Sequence, residues 1–439
     1  MSTLKAVFGV ALLSCSSPST DPPGPPPPPA PPPAVTPLQW PVGRALFDGL
    51  FVMNYVDHGA GDGPRDYRCG TRTFDGHNGV DLSLTGFRAM DAGTPVVAAA
   101  AGRVLVAQYD QFDRNYETPY VGTLNELNQI QILHDDGTAA WYAHLRKNSI
   151  AVAVGERVSQ GQYLAMIGSS GWSPLPHLHF ELWAGRQFGS AVLDPFGQPC
   201  DQPPAYWLAP TPYTGDDGID LYDADVTRNL DLLGTFGNVQ GVLALKERLD
   251  RPAVVAATEV RLGVWLFHQS PKGGQYTVTV ERPDGTPFFS QSRSSTTGRP
   301  FTWEVIAIPF GSASPPPGQW TLRVTAGSRE IVRTFAVGAA TEYGPRFYPL
   351  SGKSFRVGGA EIVDQLQLRN GGAGVTLRLD GAPATVSLDG MTVRIGPTSL
   401  PGRTAAFRVI AEDAAGRSDT MHYQLVDPSR FGGAAAGRP

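Results

Sequence analysis

Between residues 40 and 208 no stretch of the chain sustains a helical period. Short apolar runs recur instead, broken by turns rich in Gly, Asp and Pro. The clearest are VVAAAAGRVLVAQ, IQILHDDGTAAWYAHL and QYLAMIGSSG. Such runs suit strands, whose side chains alternate between a packed and an open face. HDDGT reads as the hairpin turn between IQIL and AAWYAHL. Residues 40–208 are therefore expected to form an antiparallel β domain. The 51 Gly and 40 Pro among 439 residues agree with a β-rich chain of many turns.

The same patterning continues downstream. PTPYTGDDG (210–218) reads as a linker. VRLGVWLF, QYTVTVERPDGTPFF, FTWEVIAIPF, QWTLRVTA and EIVRTFAVG follow, with PDGT and SASPPPGQ as turns. This is a β-sandwich pattern of immunoglobulin-like size over 219–340. VTLRLDG, ATVSLDGMTVRIG, AAFRVIAEDAAG and MHYQLVD predict a second module over 341–430, resembling immunoglobulin- or cadherin-like domains. Residues 431–439 read as a disordered tail. The expected fold class is mainly β: one antiparallel sheet domain followed by two immunoglobulin-like β-sandwiches.

The first residues, MSTLKAVFGVALLSC, carry one Lys and a short apolar run from Ala6 to Leu13. That is a signal-peptide pattern, too short to span a bilayer. Cys15 after Leu12, Leu13 and Ser14 resembles a bacterial lipobox, which implies a lipidated Cys15 and membrane anchoring. Residues 16–39 are proline-rich and predict an extended spacer of about 3.1 Å per residue. An exported protein can oxidise Cys69 and Cys200 to a disulfide, although the sequence does not show that they meet. Net charge is −5 and no basic cluster occurs, which argues against nucleic acid as a partner.

Residues 174–183, PLPHLHFELW, place two histidines two apart in an apolar run. On a strand His177, His179 and Glu181 share one face, while Leu178, Phe180 and Leu182 share the other. His77 lies in DGHNGVDLSL with Asp81 four residues on, and His144 lies in WYAHL. A catalytic zinc takes three protein ligands from His and Asp/Glu, and keeps a place for water. His77, Asp81 and one histidine of the pair would supply them. His-Glu-x-x-His is absent, so the ligands would come from strands and turns. Glu181 is placed to orient a histidine. His134 and His58 read as exposed turn and loop residues, and His268 and His422 fall in the downstream domains. Trp172, in GSSGW, and Tyr142 are candidates for substrate contact or packing.

These segments together resemble the lysostaphin-type zinc metalloendopeptidases that cut peptidoglycan. HNGVDLSLTGFRAMDAGTPVVAAAAGRVLV (77–106), WYAHL (141–145) and GERVSQGQYLAMIGSSGWSPLPHLHFEL (155–182) match three motifs in order, within about residues 40–205. The resemblance implies one zinc ion held by His77, Asp81 and His179, with His177 and His144 beside the attacking water as base and oxyanion stabiliser in either order. It implies peptidoglycan as substrate and partner. The alternatives are a non-catalytic, wall-binding activator of other hydrolases and a zinc protease acting on secreted proteins. The downstream β domains are expected to bind wall polymer or protein, or to act as spacers. The stretches 54–76 and 106–128 are longer than the family's usual pattern and predict added loops around the groove.

Overall fold

The structure, a computed structural model, describes residues 35–427 except 47, 60, 62, 112, 115–126, 174, 187–189, 201, 210–211, 214–218, 228–253, 271–272, 295–298, 339–343, 348–351, 370–373, 398–399 and 401–403. The expected signal segment with Cys15, the spacer up to residue 34 and the tail lie outside these residues. Among the described residues no helix is long and apolar enough to cross a membrane.

The first sheet is built from β1 (Leu50–Asn54), β2 (Val80–Leu84), β4 (Gly102–Gln108), β5 (Gln129–His134), β6 (Ala139–Ala143), β7 (Arg157–Val158), β9 (His177–Trp183) and β10 (Val192–Leu193). A helical turn, α1 (Phe87–Ala92), and a separate pair, β3 (Pro95–Val97) with β8 (Tyr163–Met166), complete the region. The order is β1-β2-β9-β6-β5-β4-β7, with β10 beside β9 and every pairing antiparallel. HDDGT forms the expected β5–β6 turn. Leu178, Phe180 and Leu182 enter one apolar core with Val80, Leu82, Ile130 and Tyr142. The alternation read from HLHFEL is thus realised, and it turns the odd-numbered residues of β9 to the other face. Cys69 and Cys200 are joined by a disulfide.

Two further cores follow along the chain. Strands β11 (Asp220–Thr227), β13 (Arg261–Ser270) and β16 (Arg299–Pro309) make a three-stranded sheet. It shares an apolar core with a five-stranded sheet of β12 (Val254–Ala256), β14 (Gln275–Glu281), β15 (Pro287–Ser294), β17 (Gly318–Ala326) and β18 (Arg329–Gly338), packed around Trp320, Val278 and Val264. The third core lies around Phe407, Tyr423 and Ile395. Its strands are β19 (Arg346–Phe347), β20 (Gly352–Arg356), β21 (Ile362–Gln365), β22 (Leu368–Arg369), β23 (Thr376–Asp380), β24 (Val386–Asp389), β25 (Thr392–Ile395), β26 (Thr404–Glu412) and β27 (Ser418–Val426). The described chain is almost wholly β, as expected.

β11 was not among the strands anticipated. Its sequence, DLYDADVT, carries three aspartates, a residue depleted in strands, among its eight residues. All eight residues are nevertheless buried. Asp220 sits near Arg72 and Arg329, and Asp223 near Arg333, so cations offset the burial of the carboxylates.

Candidate metal and catalytic site

Two rows of directly opposed residues cross the first sheet. One runs Asn54, Asp81, His179, Ala143 over β1, β2, β9 and β6; the other runs Phe51, Ser83, His177 over β1, β2 and β9. Opposed residues share a face, so Asp81 and the two histidines stand on one side of a rigid sheet. His77 joins them from the turn before β2. His77 Nε2 lies 3.3 Å from His179 Nδ1 and 3.2 Å from Asp81 Oδ2, and His179 Nδ1 lies 2.8 Å from Asp81 Oδ1. Donors of a tetrahedral zinc site with bonds of about 2.0–2.1 Å are about 3.3 Å apart. These two imidazole nitrogens and one carboxylate therefore fit that ion, and the three residues form the His/Asp cluster able to hold a metal.

Each donor is aimed by a second contact. His77 Nδ1 donates to the Tyr55 carbonyl at 2.7 Å, leaving Nε2 as the free lone pair. His179 Nε2 is held 2.9 Å from Glu181 Oε1, and Trp183 Nε1 donates to the other oxygen of Glu181 at 2.5 Å. Asn54 Nδ2 donates to Asp81 Oδ2 at 2.8 Å. Gly79 is required sterically: a Cβ there would lie 2.6 Å from Cε1 of His179.

The other two histidines are anchored in the same way. His177 Nδ1 donates to the Leu175 carbonyl and His144 Nδ1 to the Ser170 carbonyl, both at 2.7 Å. This assigns both protons to Nδ1 and leaves both Nε2 atoms as acceptors. The two rings lie 4.4 Å apart, centroid to centroid. Strand alternation alone would turn His144 away from the site, because its neighbour Ala143 opposes His179. A left-handed backbone, φ 60°, ends β6 at His144, where a non-glycine residue in that conformation is strained. Gly168 lets the chain after β8 pass the backbone of Leu145 and Arg146, where a Cβ would meet Arg146 N at 2.3 Å.

Burial sets the charges of the metal-free site. It opposes the ionised form of Asp81, but the neighbouring His77 and His177 rings and the hydrogen bond from His179 outweigh it and hold the carboxyl well below its usual range. Burial also opposes a charged His179, yet its bonds to Asp81 and Glu181 raise it to about 10. His144 is pushed well below the usual imidazole range, by burial and then by the neighbouring His177 and His179. His177 is lowered by burial against the pull of Asp81.

The structure brings His77, Asp81, His144, His177 and His179 into one place. Sequence reasoning missed Asn54, Tyr55, Leu175 and Ser170, three of which act through backbone carbonyls that no side-chain motif can mark. Two histidines differ from expectation. His134 is buried at 3% exposure, its Nδ1 2.9 Å from Thr138 Oγ1. His58 is largely covered, with Nε2 2.9 Å from Asp194 Oδ2. Tyr142 is wholly buried, and its hydroxyl accepts from Ala99 N at 2.8 Å. Trp172 is 62% exposed. Phe74 is 51% exposed, with its ring 4.6 Å from that of His77. Of the added loops, that over 54–76 is gathered by Asp57, which accepts from the backbone of Gly59, Arg65 and Gly76. The described ends of the other reach Asn128 through Gln111 and Lys147 through Asp113.

A strand-borne His/Asp/His cluster with two further histidines beside it forms a candidate metal site. Residues 75–192 match Peptidase family M23, and the chain carries a domain of that family. It is similar to lysostaphin of Staphylococcus simulans, 33% identical over 145 residues, covering 32% of this chain and 25% of the relative. It is also similar to the peptidoglycan DD-endopeptidase ShyA of Vibrio cholerae, 35% identical over 119 residues, covering 27% of this chain and 23% of the relative. The solved catalytic domain of lysostaphin from S. simulans is 27% identical, with 32% of this chain and 85% of that chain covered and a TM-score of 0.22. The chain spans about a quarter of the length of the curated relatives it matches.

Proposed function

We propose that this protein is an exported zinc endopeptidase that hydrolyses peptide bonds in peptidoglycan. The observation that carries the reading is the full set of His77, Asp81 and His179, each aimed at one point, with two further histidines beside it. The likeness of residues 75–192 to lysostaphin and to a peptidoglycan DD-endopeptidase supports the substrate class.

His77 Nε2, Asp81 and His179 Nδ1 would hold one zinc ion, which as a Lewis acid polarises the scissile carbonyl and acidifies a water. The attacking water loses its proton to Nε2 of His177 or His144, both free to accept because Nδ1–H is committed to a backbone carbonyl. The same histidine returns the proton to the leaving amine. The other, after taking a proton from solvent on its Nε2, donates it as a hydrogen bond to the oxyanion of the tetrahedral carbon. Burial keeps both rings neutral at rest.

A non-catalytic role finds no support in these residues, since no member of the set is missing. The disulfide between Cys69 and Cys200 supports export. Lipidation at Cys15, one β-sandwich over 219–340 and another over 341–430 complete the proposed organisation, with a tether behind the anchor. Purified protein should solubilise peptidoglycan, lose that activity to a chelator and regain it with zinc. Zinc-loaded protein that leaves every wall peptide intact contradicts the reading.

A further inference from the structure

The face of the first sheet that carries the site is not open along its whole length. Phe51 belongs to the same cross-strand row as His177, two strands away, a distance of about 10 Å. There Phe51 stacks on Tyr222 of β11, ring centroids 4.2 Å apart and planes 18° apart, and meets Phe267 of β13 edge-on at 4.9 Å. Phe51, Met53, Leu175, Tyr222, Trp265 and Phe267 form one buried cluster. Its members come from β1, from the segment before β9, and from the β11–β13–β16 sheet.

Two of these contacts lead directly to site residues. Leu175 offers the cluster its side chain and accepts the His177 Nδ1 proton on its carbonyl. Tyr222 receives Arg72 Nη1 and Nη2 at 3.0 and 2.9 Å and donates to Gln269 Oε1 at 2.8 Å. Arg72 is buried, and its carbonyl accepts Tyr55 N at 2.9 Å. The Tyr55 carbonyl in turn aims His77. A polar chain thus runs Gln269, Tyr222, Arg72, Tyr55, His77, all of them buried.

We propose that the β11–β13–β16 sheet is a fixed part of the catalytic unit, with Tyr222 and Arg72 as positioning residues for His77 and the aromatic cluster as the support of the Leu175–His177 contact. This goes beyond a wall-binding or spacer role for the downstream β region, and it rests on the reading of His77 as a zinc ligand. Removing an outer partner of a metal-ligating histidine costs about 10–100-fold in metal affinity.

The test uses the full chain. Tyr222→Phe removes only the hydroxyl and keeps the ring stacked on Phe51. Zinc affinity, read by competition with a chromophoric chelator, should fall by up to about tenfold, the lower figure for a direct partner of a metal ligand, and the visible spectrum of the cobalt-substituted protein should shift. Tyr276→Phe removes a buried hydroxyl of the same β region, bonded there to Glu304, and should leave both readouts unchanged. Wild-type affinity in Tyr222→Phe overturns the proposal. Wild-type protein that binds no zinc overturns the metal reading instead. Hydrogen exchange on the metal-free full chain decides the docking separately. The amides of β1 and β11 should open with one free energy, and independent opening of β11 with β1 still protected overturns the proposal.

Discussion

Glu181 grips the far nitrogen of the His179 ring at 2.9 Å while the near nitrogen faces the metal donors. In the metal-free protein that ring lies between two carboxylates, Asp81 and Glu181, and its pKa rises to about 10. At neutral pH it carries a proton on Nδ1, the atom proposed to bind zinc. Zinc uptake therefore expels a proton. Apparent zinc affinity should rise by about tenfold per pH unit between pH 6 and 8, measured by chelator competition. A flat profile contradicts the assignment of Nδ1 as a ligand.

The same shifts set the stability of the metal-free fold. The contribution from His179 is complete below its ordinary value of 6.5 and fades as pH rises toward about 10. That from Asp81 is complete above 3.8 and is lost as pH falls through its lowered value. Urea denaturation of chelator-treated protein should thus show highest stability between these limits. Added zinc should move the optimum upward in pH, because the expelled proton no longer opposes binding.

Glu181→Gln keeps an oxygen for the ring but loses the charge. Zinc affinity should drop by about 10–100-fold, the size expected for an outer partner of a metal ligand. Unchanged affinity in a folded variant would show that Glu181 is held by Trp183 for packing alone.

Much of this site was legible before any coordinates. His77, Asp81, His144, His177 and His179 are side chains whose chemistry is rare enough to notice, and the alternation of HLHFEL placed three groups on one face. The anchors were not legible. Tyr55, Leu175 and Ser170 act through carbonyls that every residue possesses, and Asn54 lies 27 residues before its partner Asp81. His134 and His58 were misread because a Gly/Asp-rich setting suggests exposure, whereas Thr138 and Asp194 satisfy their rings under cover. β11 escaped notice because three of its eight residues are aspartates, two of which face arginines distant in sequence.

Gly79 carries a sharp steric prediction. A methyl group there meets Cε1 of His179 at 2.6 Å and the Phe180 carbonyl at 2.9 Å. Gly79→Ala should displace the ring and cut zinc affinity by at least tenfold, with near-native circular dichroism. Full affinity would mean that the strands shift to admit the methyl, and that His179 is not held as described.

His177 and His179 share a face but are proposed to hold different tasks. His179→Ala should lose the metal. His177→Ala should keep it and lose about 10²–10⁴ in kcat, the usual worth of a general acid–base group. Metal content by atomic emission beside turnover on wall fragments separates the two. Equal loss of zinc in both variants removes the division of labour.

His77, Asp81 and His179 are proposed to arm a peptidoglycan endopeptidase. Mass spectrometry of products from a defined peptidoglycan digest tests it most directly, with Asp81→Ala as control. New peptide termini should appear at one type of stem or cross-link bond with the zinc-loaded protein, and none with the variant. Intact peptides from the zinc-loaded protein, or identical products from Asp81→Ala, would contradict it.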